Sequence, residues 1–98
     1  MRVLILITYD VNTETPEGRR RLRKIAKTCQ NYGQRVQWSV FECMVDSTQY
    51  RMLKGILCEL MGEDDNIRFY NLGNSGTTRV EQYGKYKSYD AEHDYLSI

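Results

Sequence analysis

The side chain best placed to do chemistry is Asp10. It closes the run Arg2-Val3-Leu4-Ile5-Leu6-Ile7-Thr8-Tyr9, an apolar, β-branched stretch with almost no alternation, which is how a strand buried on both faces reads. A carboxylate at the exit of such a central strand stands at the edge of a sheet, where sheet folds often put chemistry. One carboxylate per chain is thin equipment by itself, but two Asp10 side chains brought together across a two-fold axis could hold one hard cation between their oxygens. The same residue type also serves simply as a turn or cap residue at a strand end, and the adjacent Tyr9 reads equally as a packed aromatic. The chain's one histidine, His93, falls in the C-terminal tail, where it reads as a solvated residue rather than a general base.

A second candidate constellation is cationic. Arg19, Arg20, Arg21, Arg23, Lys24 and Lys27 crowd one short segment, and like charges on one helix repel unless something anionic lies alongside. The net charge of +1 conceals an asymmetry: residues 1–37 hold eight Lys/Arg against three Asp/Glu, and residues 38–98 hold six against ten. The basic half is the polyanion side. Arg20, Arg23, Lys24 and Lys27, joined by Arg35, suit phosphate contacts that position a nucleic acid without reading its sequence; a merely solvated helix face is the plainer account of the same charges. Cys29, Cys43 and Cys58 are odd in number, lack metal-type spacing and sit at apolar positions. They read as reduced core thiols of a cytoplasmic protein. The opening apolar run is too short for a signal peptide or a membrane span, so no membrane partner is expected.

The elements that must position these residues follow in order. Thr15-Pro16-Glu17 supplies a cap, a first-position proline and a first-turn acid, so a helix starts there. Leu22, Ile25, Ala26, Cys29 and Tyr32 form its apolar stripe, and Gly33 is expected to end it with φ > 0. Residues 34–45 are β-branched and aromatic, best divided into two strands that reverse near Trp38 and Ser39. Ser47 is the expected cap of a second helix, with Met52, Leu53, Ile56, Leu57 and Leu60 as its stripe, Gly55 as an internal flaw or close-packing point and Gly62 after its last turn. An acidic turn at residues 63–66 leads to a strand over residues 67–72, and residues 77–83 suit a short additional strand. The α+β order is βαββαβ plus a C-terminal strand, the split βαβ or ferredoxin-like arrangement, with two helices on one face of an antiparallel sheet. The other face needs a cover, which a second copy supplies in a two-fold dimer. Residues 1–84 make one domain; residues 85–98 lack a helical or strand period and must dock on something or stay mobile.

Leu6-Ile7-Thr8-Tyr9-Asp10-Val11, the basic helix ending at Tyr32-Gly33, and Arg35-Val36-Gln37-Trp38-Ser39-Val40-Phe41-Glu42 together resemble the CRISPR-associated protein two family. Ile67-Arg68-Phe69-Tyr70-Asn71-Leu72-Gly73 resembles that family's last core strand, so the likeness spans about residues 3–73. The resemblance implies a ferredoxin-like homodimer that acts as a Mg²⁺-dependent endonuclease on RNA or duplex DNA. It also implies a central role bridging dimers of the larger CRISPR integrase during spacer acquisition. By position it makes Asp10 the metal ligand and catalytic carboxylate with Tyr9 its neighbour. Arg35, Ser39 and Phe41 fall in the second motif, with Phe41 also suited to plain core packing. It further implies that the tail can be exchanged between protomers. Two other readings remain: a non-catalytic DNA-binding scaffold, which needs no metal, and a toxin-like ribonuclease module, which shares the fold and prefers RNA.

Overall fold

The structure, a computed structural model, describes residues 1–73 and 78–84. The elements run β1 (Val3–Asp10), α1 (Pro16–Gln30), β2 (Gly33–Gln37), β3 (Val40–Val45), α2 (Ser47–Leu60), β4 (Asn66–Asn71) and β5 (Arg79–Gly84). They form one antiparallel sheet in the order β2-β3-β1-β4-β5. This is the ferredoxin-like order with β1 at the centre and β5 added beside β4. The reversal between β2 and β3 falls at Trp38 and Ser39, where the sequence puts it, and the register shift between Arg35 and Gln37 supplies the local twist that a bulge introduces. His93 and the other tail residues 85–98 lie outside the described residues.

Helix α1 starts as its sequence dictates. Thr15 Oγ1 accepts the Gly18 N–H at 3.0 Å, Pro16 occupies the first turn and Glu17 follows it. Its end differs from expectation: the helix stops at Gln30 with Asn31 as a right-handed cap, and Gly33 opens β2 without a positive φ. Gly33 is small for another reason, since a Cβ there would run into the Glu42 carbonyl and Cys43. Helix α2 is capped one residue earlier than expected, by Asp46. Its Oδ1 accepts the Gln49 N–H at 2.8 Å while Gln49 Oε1 accepts the Asp46 N–H at 3.0 Å, a reciprocal capping box that Ser47 would have to match without the carboxylate. Gly55 faces open space rather than a close contact, and Gly62 lies beyond the extended cap residue Met61.

The core lies between the helices and one sheet face. Ile5, Ile7 and Tyr9 of β1, Phe41, Cys43 and Val45 of β3, and Ile67 and Phe69 of β4 meet Ile25 and Cys29 of α1 and Leu53 and Leu57 of α2. Met52 and Ile56 are exposed, so the apolar stripe of α2 that reaches the core is narrower than its spacing suggests. The alternate positions of β1, Leu4, Leu6 and Thr8, are only half-buried. Among the described residues β1 is therefore covered on one face, whereas its unbroken apolar run reads as covered on both. The open face carries Leu4 and Leu6, Val40 and Met44, Tyr70 and Val80 at matched registers across four strands. No described helix is long and apolar enough to cross a membrane.

Candidate functional site

Asp10 pairs with Asn66 across β1 and β4, and Thr8 with Arg68. Since side chains two apart on a strand share a face, Asp10 and Thr8 project on the open side of the sheet. They border a depression of about 230 Å³ whose walls also include Tyr9, Asn66 and Arg68. Asp10 is exposed. Beside it the Asn66 Oδ1 is buried and has no hydrogen-bond partner among the described residues, so an oxygen acceptor waits next to a carboxylate. Arg68 is held in the same wall, its Nε donating to Gln82 Oε1 at 3.1 Å and its Nη1 to the Tyr70 hydroxyl at 3.3 Å. The oxygens of Asp10 and Asn66 are the hard donors that suit Mg²⁺, and Arg68 offers a cation for a phosphate. Among the described residues no cluster of three or more His, Cys, Asp or Glu side chains forms a metal cage, so one protomer contributes a single carboxylate here.

The loop that follows Asp10 is anchored by a residue that in the sequence is merely one member of an acidic turn. The Asp65 side chain is wholly buried. Its Oδ1 accepts the Asn12 N–H at 3.0 Å and Arg21 Nη2 at 3.3 Å; its Oδ2 accepts Arg21 Nε at 2.8 Å and the Gly62 N–H at 2.7 Å. Burial alone raises the carboxyl pKa, but the Arg21 guanidinium and the Gly62 and Asn12 amides outweigh it and hold the acid below the usual carboxylate range. One side chain thus ties the loop after β1, helix α1 and the exit of α2 to the start of β4. Gly84, at φ +123°, lies so close that a Cβ would meet the Asp65 carbonyl. The one sequence signal is Arg21 itself: it stands a turn before buried Ile25, on the core-side edge of α1, unlike the outward cations.

The other predicted residues collect on the opposite, helix-covered side. Tyr9 is 6 % exposed and stacks on Phe41 at 6.2 Å between ring centroids; its backbone N–H donates to the Ser39 carbonyl at 3.2 Å. Burial raises the Tyr9 phenol pKa and the neighbouring Arg35 guanidinium partly offsets that, and the hydroxyl has no hydrogen-bond partner among the described residues. Arg35 lies over both Phe41, at 5.1 Å, and Trp38, at 5.2 Å. Phe41 is fully buried, so it packs the core while lending its ring to Arg35. Between α1 and the β2–β3 turn opens a cavity of about 490 Å³, walled by Arg23, Lys27, Gln30, Arg35 and Trp38 over Leu22 and Ala26. The structure brings Arg23, Lys27 and Arg35 together there; Arg20 and Lys24 are exposed but do not line it. Asp10 and the Tyr9 ring point to opposite faces of the sheet. Cys29 and Cys43 are buried and free, their thiols pushed up by burial to about 12 and about 11.

With this geometry in view, three comparisons bear on what the chain is. The profile of the family described as CRISPR associated protein Cas2 matches residues 1–80. A Chlorobaculum tepidum protein named CRISPR-associated endoribonuclease Cas2 is 58% identical over 91 residues, covering 92% of this chain and 95% of that protein. A Halalkalibacterium halodurans protein named CRISPR-associated endonuclease Cas2 is 57% identical over 91 residues, with the same coverage of 92% and 95%. Among solved structures, that of Streptococcus pyogenes Cas2 superposes with a TM-score of 0.67 at 55% identity, covering 74% of this chain and 88% of that one. The family profile spans the strand that carries Asp10 and every element through β4, the relatives match over most of the chain, and this chain belongs to the CRISPR-associated Cas2 family.

Proposed function

We propose that this chain is a Mg²⁺-dependent endonuclease that hydrolyses phosphodiester bonds in RNA or double-stranded DNA as a homodimer and takes part in spacer acquisition. The observation that carries the reading is the depression at the end of β1, where Asp10 stands beside the Asn66 Oδ1, unpartnered among the described residues, and the Arg68 cation. Relatives named endoribonuclease and endonuclease supply the reaction class. Asp10 and Asn66 would hold the ion, which when bound supplies phosphoryl polarisation and an activated water. Arg68 would pair with a phosphate oxygen, and the anchored loop after Asp10 would keep its carboxylate in place. The open sheet face, with Leu4, Leu6, Val40, Met44 and Tyr70, suits a second copy of the same sheet, which would add a second Asp10. Residues 1–84 would then be the folding domain and residues 85–98 a segment that docks on the partner protomer. Buried free thiols suit a reducing cytoplasm.

A second reading has its own observation. Arg23, Lys27 and Arg35 converge on the face turned away from Asp10, a position suited to holding nucleic acid without cutting it, as a scaffold bridging CRISPR integrase dimers would. A Mg²⁺ titration with matched RNA and duplex DNA separates the two. Cleavage that rises with Mg²⁺ and vanishes on chelation is expected; binding without cleavage of either substrate at any Mg²⁺ concentration would leave the scaffold.

A further inference from the structure

Trp38 is the sole tryptophan of the chain, and it is 73% exposed. Large aromatics are usually well buried in a free-standing domain, so a ring this open asks for a contact. One ring neighbour is already assigned: the Arg35 guanidinium lies 5.2 Å from the indole centroid and is itself backed by Phe41 at 5.1 Å. Phe41 in turn stacks on buried Tyr9. The indole is therefore held by a cation that the core fixes, while most of its surface stays open to solvent. Arg23 and Lys27, one turn apart on α1, line the same 490 Å³ cavity as Trp38, together with Gln30.

An exposed aromatic beside convergent cations is the chemistry that takes a base and its flanking phosphates together. Inside a duplex both faces of every base are stacked, and a blunt end opens only the outer face of a terminal pair that cannot turn out of the helix; an unpaired nucleotide offers a free π-face on a backbone that can bend it into the cavity. We infer that this cavity is a subsite for an unpaired nucleotide: the base stacks on Trp38, and Arg23 and Lys27 neutralise the adjoining phosphates. The site lies on the sheet face opposite Asp10, so it positions a strand end rather than the scissile bond. The inference rests on the nucleic-acid reading above and adds to it a preference for substrates with a single-stranded extension.

The test uses the full chain in chelator, so that nothing is cut, with two probes: a blunt DNA duplex and the same duplex carrying a short unpaired oligothymidine extension. Because Trp38 is the only tryptophan, its fluorescence reports the site directly. Stronger quenching by the extended probe than by the blunt one is expected, together with tighter binding of the extended probe by roughly 5- to 150-fold for one stacked base, read by anisotropy of labelled DNA. Trp38→Ala should bring the extended probe down to blunt-duplex affinity, and Trp38→Phe should keep most of the preference. Equal quenching by both probes, or a preference that survives Trp38→Ala, would overturn the subsite while leaving the nucleic-acid reading intact. Failure of both probes to bind would overturn the subsite and the nucleic-acid reading alike.

Discussion

Replacing Asp65 with asparagine should cost this small domain a large share of its stability. Each carboxylate oxygen receives two donors: Oδ1 takes the Asn12 amide and Arg21 Nη2, and Oδ2 takes Arg21 Nε and the Gly62 amide. An asparagine can orient its amide either way, but its NH₂ then faces two N–H groups that have lost their acceptor, one of them always from the guanidinium. Losing one neutral bond and one charge-assisted bond in a buried setting comes to about 3 kcal/mol, which for a domain of this size lowers the melting temperature by on the order of 15 °C. The acid dependence follows from the depressed Asp65 pKa. A carboxyl whose folded pKa lies below its unfolded one contributes fully above the unfolded value and loses that contribution as pH falls through the folded one. The gap between wild type and Asp65→Asn should therefore be full at neutral pH and narrow progressively below about pH 4. Urea denaturation at one fixed protein concentration, since association adds to apparent stability, measures both. A loss under about 0.5 kcal/mol at neutral pH, the ordinary range of surface substitutions, would refute the argument that this carboxylate anchors the loop behind Asp10.

Arg23→Ala with Lys27→Ala should flatten the dependence of log affinity on log salt by roughly 1.8 for duplex DNA, about 0.9 for each phosphate no longer neutralised, while Arg20→Ala with Lys24→Ala, outside the cavity, should change it less; equal slopes in all three proteins would assign the cavity cations to solvent. Leu6→Lys places a charge at the middle of the open sheet face opposite Glu42, which can accept it without unfolding, so sedimentation should fall from about twice 11.6 kDa to 11.6 kDa; an unchanged mass would place the partner elsewhere. Cys29 and Cys43, buried with thiol pKa values of about 12 and about 11, should resist alkylation in the native protein at neutral pH and react on denaturation, as mass spectrometry of labelled peptides would read.

Periodicity made the elements legible because it is local. The stripe from Leu22 to Cys29, the Thr15-Pro16-Glu17 start and the two-strand reading around Trp38 and Ser39 all depend on neighbours within a turn or a hairpin, and the structure has each of them. What stayed hidden depends on distant partners. Asp65 looks like one acid among several until α1 brings Arg21, 44 residues away, against it. The continuous apolar run of β1 says that both faces avoid water, but not that the described residues leave the second face open. Gly33 is needed for its close approach to β3 and not for its φ, a distinction that only strand pairing makes. Asp10 was legible as a candidate because a carboxylate ends an apolar strand. Its neighbour Asn66 was not, since the β1–β4 register sets them side by side.

On the proposed function, Asp10 carries phosphodiester hydrolysis rather than binding or folding. Asp10→Asn keeps the size of an exposed side chain at the strand's exit and removes its charge. One sample of the variant dimer, measured for Mg²⁺-dependent cleavage and for nucleic-acid affinity beside wild type, tests that role most directly. Cleavage should be abolished, with affinity within a few-fold of wild type and an unchanged dimer. Wild-type cleavage rates from that purified variant would contradict it.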